Sequence, residues 1–245
     1  ILGVTREITE RKRAEEALRE SEERLHFLSS RLLTAQETER KRISMELHDE
    51  LGQALIGLKL GLSSIQKKLR KDQRVLRDEC EYIQGSLEQV INSIRRLSQG
   101  LSPYLLETLG LTAALRRLIE DLTKYHKVET SVEIVDIDHF VSQERQLIIY
   151  RILQEALSNI RRYAEATHIS VAIKKENDCL SFLVKDNGKG FDVKQAMLRD
   201  INERGLGLAA MEERVRMLGG FFNIQSEVGK GTRISFTMPI SQEGV

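Results

Sequence analysis

The chain has 245 residues, 31% of them charged, and 38 Lys and Arg nearly balance 37 Asp and Glu to leave a formal net charge of +1. So even a balance creates no global field for nucleic acid or anionic lipid, and no apolar run reaches the ~18 residues that would span a bilayer. Two prolines and no tryptophan, with abundant Leu, Glu, Lys and Arg, point to long helices. Cys80 and Cys179 stand far apart without metal-ligand spacing and read as buried, reduced thiols of a cytoplasmic protein. The chain opens on Ile1-Leu-Gly-Val4 rather than methionine, as a piece of a longer protein would.

From Thr9 to about Arg70 the pattern is one polar, charge-laced helix. Leu18, Leu25 and Leu32 recur every seven residues, with Leu28 and Ala35 at alternate seam positions, as in a parallel coiled coil. The step then changes, because Ile43, Leu47, Leu51 and Leu55 are each four apart. Continuous four-residue steps cannot hold a left-handed supercoil, so the helix is expected to unwind or bend there. Inside that run lies Glu39-Arg-Lys-Arg-Ile-Ser-Met-Glu-Leu-His-Asp-Glu-Leu-Gly-Gln53. His48 follows Leu47 about 100° further round, at the edge of the seam and facing water, with Ser44 and Gly52 one turn away on the same face. Gly52 costs roughly 1 kcal/mol of helix propensity relative to alanine, yet it clears space beside an imidazole that something large must approach. An exposed histidine on a coiled coil fits these residues equally well.

Leu58, Leu62, Ile65 and Leu69 restore alternating steps of three and four, and a polar break falls at Lys71-Asp-Gln-Arg74. The stripe resumes through Leu76, Cys80, Ile83, Leu87, Val90, Ile94, Leu97 and Leu101. Two amphipathic helices joined by a short turn make an antiparallel hairpin. One hairpin cannot bury two wide stripes, and dimerising into a four-helix bundle solves that.

Pro103 ends the second helix, and Gly110-Leu-Thr-Ala-Ala-Leu115 opens a third that runs to about His126. The period then switches. Val128–Val135, Ile169–Ile173, Leu180–Lys185, Phe221–Ser226 and Arg233–Pro239 read as strands. A helix from about Ser142 carries Leu147, Ile152, Leu153 and Ile160, and another runs from Gly205 to Leu218. The second half is therefore an α+β two-layer sandwich, a mixed sheet with helices on one face.

Three polar clusters interrupt that apolar background. Glu155 and Asn159 lie four apart on one helix face, a hard-oxygen pair suited to Mg²⁺ and equally a polar stripe on a surface helix. Asp186-Asn-Gly-Lys-Gly190 follows a strand; its carboxylate suits the exocyclic amine of adenine, and Gly188 and Gly190 let backbone approach a ligand. The same residues also make an ordinary turn. Gly205-Leu206-Gly207 precedes a helix N-terminus, where free amides favour phosphate.

Taken in order, Glu155…Asn159, Asp186-x-Gly188-x-Gly190, Gly205-x-Gly207 and Gly229-x-Gly231-Thr232 resemble the boxes of the Bergerat (GHKL) ATP-binding fold. Glu39-Arg-x-Arg-Ile…Glu46-Leu-His48-Asp49…Gln53 resembles the phosphoacceptor box of sensor histidine kinases of the nitrate-sensor and desaturase-sensor type. Leu101-x-Pro103-x-x-Leu106-x-x-x-Gly110-Leu111 and Met211-x-Glu213-Arg214-x-x-x-Leu218-Gly219-Gly220 are further signatures of that class. Gly3-Val-Thr-Arg-Glu-Ile-Thr-Glu-Arg-Lys-Arg13 resembles the end of a PAS sensor domain entering its signalling helix.

The resemblance implies three regions: a PAS tail and signalling helix (1–38), a dimerisation and phosphotransfer hairpin with its connecting helix (39–126), and a catalytic ATP-binding domain (127–245). It implies a homodimer that uses ATP and Mg²⁺ and hands its phosphoryl group to a response regulator. His48 would attack the γ-phosphate, and Asp49 would orient the ring and take its proton. Gln53 would place water for dephosphorylating the regulator. Asp186 and Thr232 would hold adenine, Gly188 and Gly190 would close over the nucleotide, Asn159 with Glu155 behind it would hold Mg²⁺, and Gly205, Leu206 and Gly207 would face the phosphates across a lid over 191–204.

One departure stands out. The family commonly continues past the asparagine to a Lys-His pair, where this chain has Arg162-Tyr163. Arg162 keeps the cation and Tyr163 replaces the histidine, which implies retained ATP binding and slower transfer. Competing readings are a degenerate kinase serving as a dimeric signalling scaffold, and a Bergerat ATPase or serine kinase. His26, His126, His139 and His168 read as scattered surface residues without partners.

Overall fold

The heptad leucines sit on one long helix, α1 (Leu2–Glu46), which runs without a break into a π-helical turn at Leu47–Gly52 and on into α2 (Gln53–Lys68). The computed structural model describes residues 2–70, 72–101, 104–125, 128–198 and 206–240. The π turn occupies the stretch of four-residue apolar steps where the sequence requires local unwinding, and π turns of this kind concentrate at functional sites. The stretch that resembles a PAS tail is continuous helix from Leu2 onward.

After an extended Leu69, α3 (Arg74–Leu101) returns antiparallel to α2. Polar side chains stitch the two together: Lys59 Nζ reaches Glu88 at 2.6 Å, Gln84 donates to Ser63 Oγ at 3.0 Å, and Arg77 donates to the Leu69 carbonyl at 3.2 Å. Among the described residues of this hairpin only Ser44 and Cys80 are buried. Leu58, Leu60, Ile65 and Leu97 are each 55–66% exposed, so the apolar stripes of α2 and α3 lack cover within one chain. Ser44, expected beside His48 on the water-facing side, is instead 6% exposed and packs against α3.

The chain forms two compact units, Thr34–Tyr104 on one hand and Ile1–Leu33 with Leu105–Val245 on the other. That division falls earlier than the boundary expected after residue 126. The reason is α4 (Tyr104–Tyr125), whose Leu111, Ala114, Leu115, Ile119 and Leu122 are buried in the same core as the sheet. The helix bends at Gly110, where φ is 82°. The Asp138 carboxylate lies where a side chain at 110 would project, and it accepts the Thr112 N–H at 2.8 Å. A residue 26 positions away thus caps the helix the sequence opens at Gly110.

The sheet order is β1-β2-β3-β5-β4, with β1 (Glu129–Ile134) parallel to β2 (His168–Glu176) and β3 (Cys179–Asp186), β5 (Thr232–Pro239) and β4 (Phe221–Ser226) joined antiparallel. Alternate residues Ile169, Val171, Ile173, Leu180, Phe182, Val184, Ile234, Phe236 and Met238 face one side and are buried. The Phe182 and Phe236 rings stack there at 4.3 Å, and burying each such side chain stabilises by roughly 1.5–3 kcal/mol. The helices α5 (Gln143–Asn159) and α7 (Leu206–Met217) cover that face through Ile149, Ile152, Leu153, Met211 and Val215, and a short α6 (Val193–Leu198) lies beside β4. The α+β sandwich is the one expected.

Three expectations need correction. Cys179 is exposed, because it opens β3 directly after the Asn177-Asp178 turn, whereas Cys80 is buried and free as expected. His26 is not without partners: its Nδ1 lies 2.9 Å from Glu213 Oε2, and Arg216 donates to its Nε2. His168 Nε2 lies 3.1 Å from Ser131 Oγ across the parallel β1–β2 pair. His126 lies outside the described residues, and His139 is exposed.

Candidate active site

Where α5 reaches Asn159 its winding widens into a second π turn, Ile160–Ala164, which ends at Glu165 in left-handed backbone with φ 55°. The widened turn carries Arg162 and Tyr163 to the mouth of a cavity of about 690 Å³. Asn159, Arg162, Tyr163, Asp186, Lys189 and Thr232 give this cavity its polar wall, and Ile160, Phe191, Leu208, Ile224 and Ile234 its apolar one. A pocket of that size with few convergent polar groups is the usual form of a small-ligand site.

Asp186 is its buried anchor, 2% exposed at the end of β3 and in register with Thr232 of β5. The carboxylate accepts the Gly188 N–H at 2.8 Å and the Thr232 backbone N–H. Burial nonetheless pushes its pKa above the ordinary carboxylate value, the two backbone hydrogen bonds offsetting only part of that. A buried carboxylate with unused acceptor capacity, facing an apolar-walled cavity, fits a planar ligand that presents an amine.

The glycines of this loop serve a purpose different from the one expected. A Cβ on Gly188 would strike the Ala164 carbonyl and stand 2.8 Å from the Ala164 Cβ. Lys189 N–H donates to that same carbonyl at 2.8 Å, closing the loop onto the π turn. On the far side a Cβ on Gly190 would strike the Glu227 carbonyl, Gly229 N–H donates to Lys189 at 2.6 Å, and Phe191 N–H donates to Ser226 Oγ at 3.0 Å. The glycines therefore admit the protein's own backbone, and the ligand wall is built by that close stitching. Gly188→Ala should destabilise the sheet unit by about 3 kcal/mol, as overpacking does. For a unit of this size that lowers Tm by roughly 6–12 °C in a thermal melt; an unchanged Tm would show that the loop shifts freely.

Glu155 and Asn159 share the α5 face that meets α7. A Cβ on Gly207 would strike Glu155 Oε1 and lie 3.7 Å from Asn159 Nδ2, so α7 begins against both side chains. Two oxygen-bearing side chains from one helix would be a protein share that suits Mg²⁺ when phosphates and water complete its sphere. The residues present fit ATP with Mg²⁺. Leu206 opens α7, although its side chain, like the whole of Gly205, lies outside the described residues.

In the hairpin, His48 and Asp49 both lie in the Leu47–Gly52 turn, and Gln53 begins α2. The His48 side chain is outside the described residues, while those of Asp49 and Gln53 are exposed. A Cβ on Gly52 would make only ordinary contact, 3.7 Å from the Leu47 carbonyl, so nothing among the described residues of the hairpin demands glycine there. Sequence reading overlooked Ser226, whose hydroxyl joins Phe191, Gly231 and Thr232 Oγ1, and Glu165, whose carboxylate holds Lys189 Nζ at 2.7 Å. Neither leaves a sequence signal, since each acts on a partner brought close only by the fold.

The fold and cavity define a class, a helical hairpin followed by a nucleotide-binding sandwich. Residues 144–242 match the model of the histidine kinase-, DNA gyrase B- and HSP90-like ATPases, and residues 39–106 match the histidine kinase model. The chain thus carries a segment of each of the two domain types that the histidine kinase models describe. It is 32% identical over 214 residues to the oxygen sensor histidine kinase NreB of Staphylococcus carnosus, covering 87% of this chain and 60% of that protein. It is 34% identical over 227 residues to the sensor histidine kinase MctS of Rhizobium johnstonii, covering 91% of this chain and 48% of that one. It thus spans about half to three-fifths of those relatives' length. The histidine kinase domain of the blue-light activated histidine kinase of Erythrobacter litoralis shares the fold, with a TM-score of 0.50 at 19% identity, covering 78% of this chain and 96% of that one. Among the described residues no helix is long and apolar enough to cross a membrane.

Proposed function

We propose that this chain is the kinase core of a sensor histidine kinase, which phosphorylates His48 from ATP and passes the phosphoryl group to an aspartate of a response regulator. The observation carrying the reading is the convergence of Asn159, Arg162, Asp186 and Thr232 on one cavity, in a chain whose helical hairpin presents His48 within a π turn.

Asp186 accepts the adenine amine, and the apolar wall holds the ring. Arg162 and the N-terminus of α7 meet the phosphate end. Asn159, with Glu155 behind it, holds Mg²⁺, which offsets charge on the phosphates when bound. A ring nitrogen of His48 in its unprotonated form attacks the γ-phosphorus; the new N–P bond forms as the bond to the ADP oxygen breaks. Asp49 takes the proton from the other ring nitrogen. A regular α-helix would set these neighbouring residues about 100° apart, and the wider π turn lowers that step, which supports the pairing. Exposed leucines on α2 and α3 find cover in a second copy, giving the dimer.

Gln53 follows Asp49 by one turn and orders the water that attacks a phosphorylated regulator. Gln53→Ala should therefore slow dephosphorylation of the phospho-regulator about tenfold and leave autophosphorylation unchanged. Equal dephosphorylation rates would remove that role. The reading as a whole is tested by uptake of γ-labelled phosphate from Mg²⁺-ATP into the wild-type chain beside His48→Gln; a dimeric scaffold takes up none.

A further inference from the structure

Ser44 is the one buried polar side chain among the described residues of the hairpin, 6% exposed in a unit whose apolar residues are mostly open. It is locked to Ser98 of α3 by three contacts: hydroxyl to hydroxyl at 2.8 Å, Ser44 Oγ to the Ser98 carbonyl at 3.1 Å, and Ser98 Oγ to the Ser44 carbonyl at 3.3 Å. Two hydroxyl protons serve three contacts, so the pair is satisfied in either arrangement and leaves no donor unpaired.

Its position gives it a use. Ser44 stands one turn before His48, and its carbonyl is the ladder partner that the α-helical i→i−4 rule assigns to the His48 N–H. The Ser98 hydroxyl loads that same acceptor, three residues before the winding widens at Leu47. A side chain entering the ladder is one of the identifiable causes of a local change in helix winding. The other cross-helix polar contacts named above lie beyond His48 on the far side of the turn, from Lys59 to Leu69. The interlock is a polar fastening on the near side.

We infer that Ser44 and Ser98 are positioning residues for phosphoryl transfer: their interlock fixes α1 against α3 and holds the π turn that presents His48. This rests on the assignment of His48 as phosphoacceptor. The two hydroxyls touch neither ATP nor the reacting atoms, so they act through the backbone that carries the imidazole.

The test uses the dimeric chain with Ser44→Ala, Ser98→Ala, the double Ala variant, Ser98→Thr and His48→Gln. Removing both partners of a buried hydrogen bond is nearly neutral for stability, whereas removing one strands the other. The double variant is therefore expected to keep the wild-type Tm, helix content and KM for ATP while kcat for autophosphorylation falls about tenfold, since a misplacement of an ångström costs up to 10²-fold. Ser98→Thr, which keeps the hydroxyl, should stay near the wild-type kcat. A double variant with wild-type kcat beside an unlabelled His48→Gln overturns the inference alone. So does a fall in kcat that tracks a loss of Tm or helix content, or that Ser98→Thr shows equally. Full labelling of His48→Gln overturns the phosphoacceptor assignment and the inference with it.

Discussion

His48→Gln is expected to take up no acid-labile phosphate from γ-labelled ATP while binding ATP with the wild-type affinity. Glutamine has no ring nitrogen to attack phosphorus, so the chemical step disappears rather than slows. The cavity proposed for the nucleotide is lined by described residues from Ala156 to Ile234, outside the hairpin, so binding should be untouched. Asn159→Ala should also lose label, by a different route. It removes the amide proposed to hold Mg²⁺ at the end of α5, and several kcal/mol of charge stabilisation at roughly 1.4 kcal/mol per tenfold give a loss of about 10²-fold or more. The two variants are separated by nucleotide binding in Mg²⁺, measured by calorimetry: His48→Gln binds normally and Asn159→Ala binds weakly. Wild-type labelling of His48→Gln would place the acceptor elsewhere, and weakened ATP binding by that variant would show that the hairpin contributes to the nucleotide site.

A second large effect follows from Asp186. In the proposed site the ionised carboxylate is the form that would accept the adenine amine, and burial holds its pKa above the ordinary value. ATP affinity should therefore fall as pH drops through that raised pKa, by about tenfold per unit below it, beginning at a higher pH than an exposed aspartate would impose. The effect on the nucleotide-free fold has the opposite sign. A group whose folded pKa is raised binds its proton more readily in the native state, so acidification through that value stabilises the free protein. Asp186→Asn should lower ATP affinity by roughly 10- to 100-fold, the worth of a hydrogen bond to a charged group. It should also abolish the acid-side fall and leave the free chain's Tm at or above that of wild type at neutral pH. An Asp186→Asn variant that binds ATP normally, with the same pH profile, would rule out this contact.

Much of this was legible because it is local. The four-residue step from Ile43 to Leu55 announced a change of winding, and the chain answers with a π turn at Leu47–Gly52. Glu155 and Asn159 are four apart on one helix, and Asp186 ends a strand, so their places in the fold could be read from spacing and element type. Gly110 marked a helix start that the structure places at the kink itself. What could not be read depends on partners distant in sequence. Gly188 looked like room for a ligand, but its lost side chain makes room for the carbonyl of Ala164, 24 residues earlier. Ser44 looked solvent-facing and is instead fastened to Ser98, 54 residues on. Cys179 shared the apolar alternation of β3, yet as the first residue after a turn it lies open.

The sequence by itself determined the order and kind of the elements, the histidine's place on a helical hairpin, and the polar residues proposed to meet the nucleotide. Periodicity and turn chemistry act over a few residues, and a linear pattern records them fully. Only the tertiary structure decided that α4 joins the sheet's core instead of the hairpin, that the glycine loop is stitched to the π turn after Asn159, and that a part-buried serine pair fastens the helix just ahead of His48. Those are contacts between surfaces, and they exist only once the chain has closed on itself.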